Sequence, residues 1–116
     1  MLKTAVIGVG YLGRFHAQKL ASLEESELIG VVDTNPEQGK KVSEELDVPF
    51  YLNFEEIINK VDAVSIAVPT VHHYKSAKAF LANGVHVLLE KPFAETIEEA
   101  EELAQLSSDN LSLIHI

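Results

Sequence analysis

The stretch KTAVIGVGYLGRFHAQKL, residues 3–20, passes from apolar to glycine-rich to amphipathic. Residues 3–9, KTAVIGV, are apolar and β-branched enough to form a strand buried on both faces. Residues 11–23 then place Leu12, Phe15 or His16, Leu20 and Leu23 at helical spacing. Between strand and helix, Gly8, Gly10 and Gly13 spell G-x-G-x-x-G. Alone that pattern is weak, but after a strand and at the opening of a helix it has a mechanism. Gly8 permits a tight turn, Gly10 lets a diphosphate approach the backbone, and Gly13 lets helix and strand pack closely. The helix opens at Tyr11 and Leu12, where backbone N–H groups without helical partners point at the anion. The competing reading is a strand-to-helix turn that binds nothing.

ELIGVVD (27–33) reads as a second strand. Asp33 at its end lies twenty positions past Gly13 (33 minus 13), where an acid bonds a ribose 2′-hydroxyl. A carboxylate there repels the 2′-phosphate of NADP, and Thr34 and Asn35 supply no cation to receive one. NAD is therefore expected over NADP, with Thr34 beside the ribose. The alternative for Asp33 is a turn residue preceding Asn35-Pro36.

Apolar and amphipathic runs continue to alternate. Asn35 and Pro36 open a helix to about Leu46, with Asn35 as N-cap. PFYL (49–52) is a short strand, and Asn53 with Glu56 has capping-box spacing for a short helix. DAVSIAV (62–68) is a fourth strand. Residues 71–83 form a helix with His73, Ala77, Phe80 and Leu81 on one side, closed by Asn83-Gly84. VHVLLE (85–90) is a fifth strand. Thr96 and Glu99 cap a helix expected to bury Ile97, Ala100, Leu103 and Ala104 and to expose Glu98, Glu101 and Glu102. LSLIHI (111–116) reads as a sixth strand with nothing behind it to cover it, so the chain looks cut short. This alternation specifies an α/β fold: a doubly wound parallel sheet with right-handed crossovers, helices on both faces, and strand order 3-2-1-4-5.

Composition narrows the function classes. The 116 residues support one domain. A net charge of −9 argues against nucleic acid or an anionic membrane as partner. The sequence has no cysteine, which removes disulfides, thiolate catalysis and cysteine-ligated metals. No segment approaches the ~18 continuous apolar residues of a membrane span. The N-terminus lacks a signal-like stretch, so the expected setting is cytoplasmic. His72 and His73 are adjacent on a helix and do not share a face, so no metal site is expected.

Ligands of a doubly wound sheet lie at the carboxyl ends of its strands. AVPTVHHY (67–74) leaves the fourth strand at that edge, bringing Val68, Pro69 and Thr70 there. VLLEKPFAE (87–95) leaves the fifth and delivers Glu90, Lys91 and Pro92 to it. A strand-end ion pair is the plain reading of Glu90 and Lys91. The other is a lysine held in a cleft, where it can stabilise an alkoxide or lose its proton more easily.

Taken together, AVIGVGYLGRFHAQKL, VVDTNPE and AVPTVHHYKSAKAFLANGVHVLLEKPFAETIEEAEEL resemble the N-terminal domain of the Gfo/Idh/MocA oxidoreductases, named for glucose–fructose oxidoreductase and inositol dehydrogenase. The resemblance covers essentially the whole chain, and Glu90-Lys91-Pro92 after GVHVLL is its most specific motif. It implies a Rossmann domain joined, in the full-length parent, to a larger α/β domain that this chain lacks. It implies hydride transfer between a nicotinamide cofactor and a sugar, cyclitol or related polyol or carbonyl compound, in a homo-oligomeric parent. It gives Lys91 a catalytic role at the reacting oxygen and a contact with the cofactor, with Glu90 orienting it or touching the ribose.

The family's usual Thr-Pro-Asn-x-x-His stretch is here Val68, Pro69, Thr70 and His73. Pro69 and His73 match; Val68 and Thr70 depart. His73 either faces the cofactor or packs the helix, His16 packs, and Arg14 is expected to be solvated rather than at the diphosphate. The family's catalytic histidine and aspartate belong to the second domain, so these residues alone should bind cofactor without turning over. Two other readings remain: a stand-alone NAD-sensing module, and the biliverdin-reductase or glucose-6-phosphate-dehydrogenase branches, which carry similar Glu-Lys-Pro motifs. A reading frame running roughly 200 residues further, as a second α/β domain, favours the enzyme.

Overall fold

The computed structural model describes residues 2–69, 72–89, 94, 96–110 and 114–115. In chain order these form β1 (Leu2–Ile7), α1 (Tyr11–Ser22), β2 (Ser26–Val32), α2 (Pro36–Leu46) and β3 (Phe50–Tyr51). Two 3₁₀ turns follow, Phe54–Glu56 and Ile58–Lys60, and then β4 (Ala63–Ile66), α3 (His73–Ala82), β5 (His86–Leu89), α4 (Ile97–Asp109) and β6 (Ile114–His115). Every strand pair is parallel, in the order β3-β2-β1-β4-β5-β6. The expected order holds, and the sixth strand pairs beside β5 over two residues.

The apolar runs of β1 and β2 are long because cores lie on both of their faces. On β1, Val6 faces α1 and α2 in a core with Val9, Ala17, Leu28, Val31 and Val42. Its neighbours Ala5 and Ile7 face the other way, into a larger core with Val64, Ile66, Ala77, Phe80, Leu81, Val87, Leu89 and Leu103. Burying side chains such as Phe80 and Leu81 stabilises the fold by roughly 1.5–3 kcal/mol each.

Local chemistry sets the helix ends. Asn35 accepts from the N–H groups of Glu37 and Gln38 at the start of α2, and Pro36 takes the first helical position. Asp47 closes α2 in the left-handed conformation, at φ 55°. Thr96 Oγ1 accepts from the Glu99 N–H at 3.1 Å, capping α4 as its spacing predicts. Asn53 and Glu56 form the capping box their spacing predicts, the Asn53 N–H donating to Glu56 at 3.2 Å, and the short helix it opens is a 3₁₀ turn.

Two periodicity readings need correction. On α1 the sheet-facing residues are Gly13 and Ala17; Leu12, Phe15 and Leu23 are exposed, with the Tyr11 ring edge-on to Phe15. Close approach of α1 to β1 selects the small residues and turns the large ones outward. Over β4 and β5 the same side stays open, as a groove of about 520 Å³ between Leu20, Leu23, His86 and Leu88. On α4, Leu103 and Ser107 are buried while Ile97 is 75% exposed and Ala104 also faces out. That helix is held to α3 by polar contacts as well: Lys78 pairs with Glu102 at 3.2 Å, and the Tyr74 hydroxyl donates to Glu102. Arg14 is solvated, as expected, and is also paired. Its guanidinium bonds Glu45 through Nε and Nη2 at 2.8 and 2.7 Å, tying α1 to α2. The hydrogen bond from Arg14 holds the Glu45 carboxyl below the usual carboxylate range. The pair's contribution is therefore present above that range and lost as pH falls through the lowered value; its exposure keeps it small.

Candidate functional site

One rank of paired residues crosses the sheet at its carboxyl edge: Tyr51, Val32, Ile7, Ile66 and Leu89. The positions just beyond four of them, Leu52, Asp33, Gly8 and Ala67, all line a cavity of about 600 Å³. Gly10, Thr34, Val68 and Pro69 line the same cavity. The glycine turn, the acid after β2 and the segment after β4 thus converge, as the sequence predicts. Glu90, Lys91 and Pro92, expected at this edge after Leu89, lie outside the described residues, as does Thr70.

Each glycine of the turn has its own reason. Gly8 has φ +89°, and a Cβ there would approach Val68 Cγ1 to 2.8 Å. At Gly13 a Cβ would collide with the Gly8 carbonyl, so this glycine is what allows α1 to lie against the turn. Gly10 differs. Its φ is −67°, which any residue can adopt, and a Cβ there would meet nothing within 4 Å. Open space therefore stands over Gly10, at the start of a helix with no capping side chain and no acid in its first turn. By contrast, Asn35 and Thr96 cap α2 and α4, and both of those helices carry acids in the first turn. An uncapped start leaves N–H donors for an external anion. A diphosphate fits this cradle on geometry and on charge.

Asp33 is held by both carboxylate oxygens, one bonded to the glycine turn and one to its own segment. Oδ2 accepts from the Val9 N–H at 3.0 Å and Oδ1 from the Asn35 N–H at 2.8 Å. A carboxylate offers about four acceptor positions, so these two bonds orient it and leave capacity for ribose hydroxyls. Tyr11 is 84% exposed at the helix start and Leu12 about half exposed, so at these two positions the backbone is the relevant donor.

His73 is 2% exposed, and its Nε2 lies 2.9 Å from the Val68 carbonyl. Of the two readings of this residue, burial supports packing: the ring braces the segment carrying Val68 and Pro69. His16 bonds Ser65 on β4 at 2.7 Å, away from the turn, in keeping with the packing role expected for it. The sequence reading missed the far wall of the cavity, made by Asn53, Phe54 and Glu55 after β3 and by His72, Lys75 and Ser76 around the start of α3. Asn53 drew attention only as a cap, and His72 only as half of a rejected metal pair. Among the described residues no three His, Asp or Glu side chains group as metal ligands, and no helix is long and apolar enough to cross a membrane.

A parallel sheet wound on both faces, with a glycine turn and an oriented acid sharing its carboxyl edge, is a dinucleotide-binding Rossmann domain. Its particular lineage follows from comparison: residues 2–115 match the oxidoreductase family with NAD-binding Rossmann fold, Gfo/Idh/MocA, and the chain belongs to that family. It is 42% identical over 118 aligned positions to UDP-N-acetylglucosamine 3-dehydrogenase of Acidithiobacillus ferrooxidans, an alignment covering 99% of this chain and 37% of that protein. The solved structure of that enzyme superposes with a TM-score of 0.92 over 97% of this chain and 38% of its own. Glucose-6-phosphate 3-dehydrogenase of Bacillus subtilis is 33% identical, over 86% of this chain and 29% of its own length. Scyllo-inositol dehydrogenase from Lactobacillus casei, solved with NAD(H) and scyllo-inositol, is 26% identical with a TM-score of 0.89, over 98% of this chain and 36% of its own. The chain thus spans about a third of the length of these relatives.

Proposed function

We propose that the chain is the cofactor-binding part of an oxidoreductase that moves hydride between NAD and a carbinol or carbonyl carbon of a sugar or cyclitol. The observation that carries this is the uncapped start of α1 above Gly10, with Asp33 oriented beside it. The names of the relatives, sugar and cyclitol dehydrogenases, support the substrate class. NAD, when bound, supplies the hydride acceptor. The chain's own residues bind and orient it: N–H groups at Gly10, Tyr11 and Leu12 take the diphosphate, and Asp33 and Thr34 take the adenosine ribose. Val68 and Pro69, braced by His73, form the wall beyond β4. In this reading Lys91 holds the reacting oxygen and a proton beside it, and Glu90 orients Lys91.

NAD is favoured over NADP because a 2′-phosphate would meet the Asp33 carboxylate. Asp33→Ala is expected to weaken NAD by about 1–3 kcal/mol, the loss of an acceptor for a buried hydroxyl. NADP should weaken less, since its repulsion disappears too. Titrating both cofactors into wild type and variant checks this; an undiminished preference for NAD in the variant would remove Asp33 from the ribose site.

A further inference from the structure

Four hydrogen bonds around Val9 close into a ring that ribose recognition does not require. The Val9 N–H donates to Asp33 Oδ2, Asp33 Oδ1 accepts from the Asn35 N–H, and Asn35 Oδ1 accepts from the Gln38 N–H at 3.4 Å. The Gln38 side-chain amide then returns, Nε2 donating to the Val9 carbonyl at 2.8 Å. Val9 itself is fully buried, and Gln38 sits half-buried on the first turn of α2. The two peptides flanking Val9 are thus each held by a side chain, one from the residue after β2 and one from the first turn of α2.

The second of these bonds bears on the cofactor. The Val9 carbonyl and the Gly10 N–H belong to one planar trans peptide, so they point in opposite directions. Drawing the carbonyl toward Gln38 turns the Gly10 N–H away from α2. Gly10 lines the cavity, and open space stands above it. Gln38 is not among the described residues lining that cavity, so it acts through the backbone.

We infer that Gln38 is a positioning residue for the cofactor's diphosphate, fixing the Val9–Gly10 peptide so that the Gly10 N–H is aimed before the anion arrives. This rests on the reading that the start of α1 receives a diphosphate. Loss of the bond frees the peptide to rotate and weakens ligands that carry the diphosphate, while ligands that lack it are unaffected. That contrast separates positioning from a structural tie and from direct contact with adenosine.

The experiment is titration of NAD, ADP and adenosine into the complete chain and its Gln38→Leu and Gln38→Glu variants, followed by amide chemical shifts, with melting temperatures alongside. Gln38→Glu matches glutamine in size but, ionised, cannot donate to a carbonyl; it carries the test if the leucine variant does not fold. NAD and ADP should bind about tenfold more weakly to folded variants, the effect of one lost buried hydrogen bond, and adenosine should bind as in wild type. Unchanged ADP affinity would overturn the inference by making Gln38 a structural tie. Equal weakening of adenosine would overturn it by making the effect a contact or a general loosening. Failure of the wild-type chain to bind NAD and ADP would overturn the underlying reading, and that outcome is visible without any variant.

Discussion

Gly13→Val is expected to abolish NAD binding and to lower the melting temperature by ~10 °C or more, the consequence of about 3 kcal/mol of backbone collision. The added Cβ would run into the Gly8 carbonyl, so α1 can stay only by moving away from β1 or by displacing the turn. Either movement disperses the N–H groups that form the cradle. Gly10→Ala supplies the contrast. Its backbone is unstrained and its surroundings are empty, so the fold and melting temperature should be retained. The new methyl group would nevertheless stand where the diphosphate must pass, and NAD affinity should fall at least about tenfold, the scale of one lost hydrogen bond. Thermal melts and NAD titrations on both variants check the pair. A Gly13→Val protein that melted normally and bound NAD would remove the close-packing account of the turn.

The second large effect concerns chemistry. Lys91→Ala in the full-length protein should reduce turnover by about 10²–10⁴, the usual contribution of a positioned acid–base group, while NAD affinity falls only slightly. Steady-state kinetics with sugar and cyclitol substrates, paired with a direct NAD titration, separates the two quantities. Near-normal turnover would make Lys91 an ordinary strand-end residue. The residues of this chain without a substrate domain should bind NAD yet reduce none of it, because positioning of the reacting carbon supplies much of an enzyme's rate.

The features legible in the sequence are those that local chemistry determines. Glycines at fixed offsets between a strand and a helix, an acid at the end of β2, Asn35 before Pro36 and Thr96 before Glu99 each act within a few residues of themselves. The strand order followed because alternating apolar and amphipathic runs permit few right-handed parallel topologies. The rest depended on residues distant in sequence. Arg14 reads as a solvated arginine, and its partner Glu45 reaches it only when α1 and α2 pack. Ile97 fits a helical stripe, but at the first turn of α4 it stands 75% exposed while Leu103 is buried. Asn53, Phe54, His72 and Lys75 reach the cavity only because β3 and β4 end on the same rank as β1. Gln38 carries no motif, and its link to Val9 spans 29 positions of sequence.

On this account the start of α1, with Asp33 beside it, is an NAD site. Calorimetric titration of NAD and NADP into the full-length protein tests it most directly. Saturable one-to-one binding of NAD, tighter than that of NADP, is the predicted result. Absence of NAD binding, or NADP binding as tightly as NAD, would contradict it.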